Sequence, residues 1–226
     1  MKSHNKLAVS VILVLVFLSC TIILAKLNGV AYRDKVKKEE AFSQDIFVNS
    51  IGVSQRDTAT KKEVVRRITE YLRSENIALQ DKKLRIISEM VYRESMRHNI
   101  DYRLVLALMK IESNFRHDAV SEKGARGLLQ VKPSVAKFVA EDVGIRWEGD
   151  ETLDQPKENI RIGIHVFSKL IGDFQSITMA LHAYHVGPTR LRELLAEEKV
   201  PEKRYLNLVL NEYDRNITIL PEPGRQ

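Results

Sequence analysis

Cysteine occurs once in this 226-residue chain, at Cys20, so neither a disulfide framework nor a cysteine-built metal site is available. Sustained apolar–polar alternation is missing as well, which excludes a sheet-based domain and leaves an all-α fold class. There is no internal repeat and no low-complexity tract. Gly124 and Gly127 stand close together, yet no P-loop or dinucleotide pattern surrounds them, so no cofactor is implied. Lys and Arg total 36 against 30 Asp and Glu, for a net charge of +6. That balance suits an anionic surface or polymer, but without a nucleic-acid-binding motif it names no nucleic acid as partner. The length has room for one ordinary domain and a segment outside it.

Residues 7–25 are uncharged and apolar, preceded by Lys2 and Lys6 and followed by Lys26. A helix of roughly 20 such residues spans a bilayer. Residues 1–26 are therefore expected to be an N-terminal membrane anchor, with a cleaved signal sequence as the rival reading; no clear small-x-small site is present, and Phe17-Leu18-Ser19 before Cys20 is a poor lipobox. Arg33, Lys35, Lys37 and Lys38 lie on the far side of the run, so charge alone does not settle its orientation. Residues 27–81 mix charge, Ser, Gln and Gly and predict a stalk; within it Val64, Val65, Ile68, Tyr71 and Leu72 recur at helical spacing among basic residues, a basic amphipathic helix.

The compact domain is expected over residues 82–220, with a disordered tail at 221–226. Leu84, Ile87 and Val91 begin an amphipathic helix that runs to about His98, and Asp101 is placed to cap the next one. That second helix carries Leu104, Val105, Leu106, Ala107, Leu108 and Met109, apolar almost all round, as a helix buried inside a domain is. Glu112 follows about one turn beyond Leu108 and Met109, so its carboxyl belongs on or beside the buried face. Desolvation disfavours the ionised form and raises the pKa, the property that a general acid needs near neutral pH. Downstream, residues 133–143 predict a helix with Val135, Phe138 and Val139 on one side, and residues 144–156 a polar surface loop. Helices are expected from Asn159, over Ile177 to Tyr184, and again in 191–198 and 205–213.

Five short motifs stand in order along this domain: Ile111-Glu112-Ser113; Ala119-Val120-Ser121 with Gly124-Ala125; Gly127-Leu128-Leu129-Gln130; Asn159-Ile160 with Gly163; and Ala183-Tyr184-His185 with Gly187-Pro188. Together they resemble the catalytic domain of the soluble-lytic-transglycosylase (SLT) type. The resemblance implies a lysozyme-like α fold and cleavage of peptidoglycan glycan strands between N-acetylmuramic acid and N-acetylglucosamine, on the periplasmic or wall side of the cytoplasmic membrane. It also implies that Glu112 is the single catalytic acid/base. Ser113 and Gln130 would hydrogen-bond substrate, Tyr184 would position Glu112, and His185 would line the site where the family usually has Asn. Leu129 stands where Met is usual.

Other readings of these residues exist. A second catalytic carboxylate among Asp118, Glu122, Asp142 and Asp154 would make a hydrolase on the same fold. A domain that kept the groove without catalysis would be a peptidoglycan-binding module. His182 and His185, with His165, lack the spaced partner that a metal site requires, so no metal is expected. Trp147 is a candidate for stacking on sugar or for packing on the domain.

Overall fold

The computed structural model describes residues 58–75, 77, 79–199 and 201–223. Eight α-helices run through them: α1 (Thr58–Ser74), α2 (Asp81–Arg97), α3 (Tyr102–Ser113), α4 (Pro133–Val139), α5 (Pro156–Phe174), α6 (Ile177–Val186), α7 (Pro188–Ala196) and α8 (Arg204–Ile219), with short 3-10 helices at Glu141–Val143 and Asp150–Asp154. Among the described residues two isolated bridges, Val120 to Arg126 and Arg126 to Val131, are the β-like pairings. The expected all-α class is what the fold shows.

Local chemistry sets the helix ends. Asp101 caps α3 by accepting from the Arg103 backbone N–H at 2.8 Å, and the Ser176 hydroxyl accepts from Met179 N at 3.3 Å to start α6. Proline opens α4, α5 and α7, where its missing N–H leaves no partner unmet. Residues in the left-handed conformation close α3 at Asn114 and α5 at Gln175.

Helix α3 is the axis of the core. Leu104, Leu106, Ala107 and Met109 are wholly buried, and Val105 and Leu108 nearly so. Each such side chain contributes about 1.5–3 kcal/mol of burial. The chief partner of α3 is α8, which lies antiparallel to it: Tyr213 Oη donates to Asp101 Oδ2 at 3.0 Å and Asn216 Nδ2 donates to the Arg103 carbonyl at 2.9 Å at one end, while Tyr205 bonds Glu112 at the other. Helix α2 lies between α1 and α5, and α6 joins α5 to α7.

Several expectations are corrected by this packing. Helix α1 is part of the core and not of a stalk: Val64, Ile68, Tyr71 and Leu72 are buried in the same cluster as α3. Lys110 also donates to Glu75, just beyond its end. The packed unit therefore begins well before residue 82. The helix expected over 133–143 stops at Val139 and becomes 3-10, and its buried face is Ala136 and Val139, with Phe138 80% exposed and Val135 also outward. The 144–156 segment holds a 3-10 helix whose Leu153 is fully buried, and Trp147 packs on the core. Pro156, not Asn159, opens α5. In the tail, Tyr102 Oη donates to the Pro221 carbonyl, so the chain is held at least to that point. The apolar run 7–25 lies outside the described residues, as does most of the expected stalk. Among the described helices none is long and apolar enough to cross a membrane.

Candidate active site

Glu112 occupies the last turn of α3, and the two residues beyond the helix end turn the chain sharply. Asn114 and Phe115 have φ of 50° and 60°, an uncommon conformation for residues with side chains. Phe115 is held there by burial and by a T-shaped contact with the Tyr71 ring, 6.0 Å away between centroids. The carboxyl of Glu112 is largely withdrawn from water, and this burial raises its pKa to about 7 against the smaller downward pull of the Tyr205 hydrogen bond. Tyr205 Oη donates to Glu112 Oε1. A group with that pKa is part protonated and part ionised near pH 7, so it can give a proton and take one back.

The loop after α3 is shaped from inside. Ser113 Oγ is buried and donates to the Leu128 carbonyl at 2.8 Å or the Met109 carbonyl at 3.1 Å, tying the end of α3 to the loop. Asn159, wholly buried on α5, holds the loop at two points and ties it to the Asp150–Asp154 3-10 helix: its Oδ1 accepts from Leu129 N at 2.8 Å, and its Nδ2 donates to the Arg126 and Leu153 carbonyls at 2.9 Å each. Gly127 has φ +75°, and a Cβ there would lie 2.2 Å from Asn159 Nδ2. Glycine is required on both counts. Arg126 clamps Asp154 through two bonds, at 3.0 and 2.5 Å.

The expected site residues divide between the carboxyl and the loop. Tyr184 Oη donates to the Leu129 carbonyl at 2.6 Å and not to Glu112. Burial pushes the Tyr184 pKa up, and the charge of Glu112 adds to that shift, so the two groups are near enough to feel each other. Gln130 turns its amide nitrogen onto the Ala119 and Gly127 carbonyls, both at 3.0 Å, so its donor serves the loop. His185, on the last turn of α6, stacks on Tyr205 with centroids 4.1 Å apart and planes 9° from parallel. Tyr205 itself is the residue that sequence reasoning missed as part of the site. It lies 93 positions from Glu112, at the start of an amphipathic helix where a buried ring is ordinary, and no local signal marks it.

Of the other carboxylates considered, Asp154 is engaged by Arg126 and Asp142 by Lys169 at 3.4 Å and His165 at 3.5 Å. Among the described residues no group of three potential ligands is arranged to hold a metal ion.

Comparison with known proteins matches residues 89–207 to the family described as the transglycosylase SLT domain, more than half of the chain. The chain belongs to that family. The chain is 32% identical over 130 residues to the membrane-bound lytic murein transglycosylase C of Edwardsiella ictaluri, across 53% of this chain and 36% of that one. It is 26% identical over 136 residues to a transglycosylase of enterobacteria phage PRD1, across 60% and 48%. The match thus spans less than half the length of either relative. In fold, the chain superposes on the 70 kDa soluble lytic transglycosylase of Escherichia coli with a TM-score of 0.52 at 21% identity, over 69% of this chain and 29% of that one. Glu112, the 119–131 loop, Asn159, Tyr184 and Tyr205 all fall within the SLT match.

Proposed function

We propose that this chain is a peptidoglycan lytic transglycosylase with Glu112 as its single acid/base. The observation that carries the reading is a largely desolvated carboxyl with a pKa near 7, hydrogen-bonded by Tyr205, inside the SLT match. Protonated Glu112 gives its proton to the glycosidic oxygen between N-acetylmuramic acid and N-acetylglucosamine, and the C–O bond breaks. As carboxylate it then takes the proton from the C6 hydroxyl of the same muramyl sugar, whose oxygen closes on C1. The products are a free N-acetylglucosamine end and a 1,6-anhydro-muramyl end. Glu112 is protonated again and no water is consumed. In this reading Tyr184 orients the loop beside the acid, Ser113 holds that loop to α3, and Gln130 lines the approach of the glycan strand.

The apolar run 7–25 anchors the chain in the cytoplasmic membrane with the catalytic domain on the wall side, in keeping with the membrane-bound relative. A reporter fused after Gln226 is expected to be active outside the cytoplasm. Cytoplasmic activity overturns the orientation.

The test of the reaction is digestion of purified peptidoglycan by the wild-type chain and by Glu112→Gln, with muropeptides weighed before and after borohydride. Products one water lighter than reducing muropeptides, inert to borohydride and absent with Glu112→Gln, are expected. Reducible products would make the enzyme a hydrolase. Binding without products would make it a non-catalytic module.

A further inference from the structure

We propose that His185 is a positioning residue that holds the Tyr205 hydroxyl on Glu112, through the flat stack of its imidazole on the phenol ring, 4.1 Å away and 9° from parallel. The inference rests on Glu112 being the acid/base and adds what keeps that acid tuned.

Tyr205 is the second residue of α8, in the first turn, where a helix frays most readily. Its hydroxyl has to meet one carboxyl oxygen on another helix, and a small swing of the ring breaks that bond. The ring is only 7% exposed, and the imidazole of His185 covers one of its faces from α6. The contact is nearly parallel, which restrains tilting of the phenol. His185 is itself exposed on its other side, so its contribution is to Tyr205 and not to the core.

The surrounding charges suit a neutral platform. Burial lowers the imidazole pKa, with Glu202 opposing that shift and Lys123 adding to it. His182, deeper in α6, feels His185 in turn. Glu112 faces Tyr205 from α8 and Tyr184 from α6. Near pH 7 His185 therefore brings a neutral ring, and no charge, beside the acid.

The sign of the effect follows from the bond. Tyr205 draws the Glu112 pKa down, so a ringless residue at 185, by freeing Tyr205, lets that pKa rise. The experiment is a pH–rate profile on purified peptidoglycan with the full-length chain in detergent, for wild type, His185→Ala, His185→Asn, His185→Phe and Glu112→Gln. His185→Ala is expected to lower kcat about tenfold with KM changed less than about twofold, the size of one lost hydrogen bond. Its alkaline limb is expected to move to higher pH. His185→Phe keeps a ring and is expected to return the limb to the wild-type position and recover most of the rate lost in His185→Ala. His185→Asn carries the same expectations as His185→Ala and decides the matter should the alanine chain fail to fold. Ringless variants with the wild-type limb overturn the inference. So does a folded His185→Phe as impaired as His185→Ala, or a rise in KM with kcat kept, since either assigns the imidazole to the substrate. Activity retained in Glu112→Gln overturns the acid/base reading itself. Loss of activity there, with ringless variants unshifted, overturns only the role of His185.

Discussion

At the scale of single residues, Glu112 trades stability for a usable proton. Its carboxyl would titrate at 4.5 in the unfolded chain and does so at about 7 in the fold. Between these values the unfolded state releases its proton while the folded state keeps it, so stability falls as pH rises through that window and stays lowered above it. Glu112→Gln removes the penalty. It is expected to raise stability by up to about 3 kcal/mol at pH 8 and by little at pH 4, a difference that thermal melts at the two pH values will read. In the proposed reaction the protonated form is the acid, so the same pKa is expected to place the alkaline limb of activity near pH 7. Tyr205→Phe removes the bond that draws this pKa down, so it is expected to move the limb upward and to lower kcat about tenfold. Unchanged profiles would show that the Tyr205 contact does not tune the acid.

At the scale of elements, the 119–131 loop and helix α8 bring the site together. Asn159 satisfies two backbone groups of the loop and one of the Asp150–Asp154 3-10 helix from inside the core, and the alternative for those groups is burial without partners. Asn159→Ala is expected to cost about 3 kcal/mol and to reduce activity even where the protein remains folded, measured by denaturant titration beside the muropeptide assay. Gly127→Ala meets both a left-handed backbone and Asn159 Nδ2 at 2.2 Å. It should be the more damaging of the two. The far end of α8 is held through the buried Asp101–Arg103 pair, joined at 2.6 Å. Asp101→Ala strands a buried guanidinium and removes the acceptor for Tyr213 Oη, with an expected loss of about 3–5 kcal/mol in a denaturant titration. An exposed ion pair such as Arg85–Glu89 should contribute little.

At the scale of the whole molecule, α1 decides where the domain begins. Val64, Ile68, Tyr71 and Leu72 each bury an apolar side chain in the common core, worth about 1.5–3 kcal/mol apiece. Their sum approaches the 5–15 kcal/mol by which domains are typically stable. A chain starting at residue 58 is therefore expected to fold and melt cooperatively, and one starting at residue 82 is expected to aggregate or to bind hydrophobic dyes. Cooperative melting of the shorter chain would return α1 to the stalk. The net charge of +6 matches the anionic peptide carboxylates of the proposed substrate. Cleavage is accordingly expected to weaken as salt rises.

What is local and periodic could be read from the residues alone. Helical spacing marked α2, α3, α5 and α6, the apolar run before Glu112 foretold a desolvated carboxyl, and five ordered motifs pointed to the SLT family. Side chains that meet across long separations were decided only in the tertiary structure. Tyr205 reaches Glu112 from 93 positions away, and Tyr184 bonds the Leu129 carbonyl and not the acid. The stripe of α1 reads equally well as a solvated helix or as core until α2 is seen against it. Helix periodicity shows that one face is apolar, but what covers that face depends on how the helices cross. The same limit applies to Val135 and Phe138: a seven-residue helix offers too few turns to tell its inner side from its outer. The pKa of Glu112 rests on both levels, since the run of α3 withdraws the carboxyl from water and α8 supplies the hydroxyl that moderates the shift.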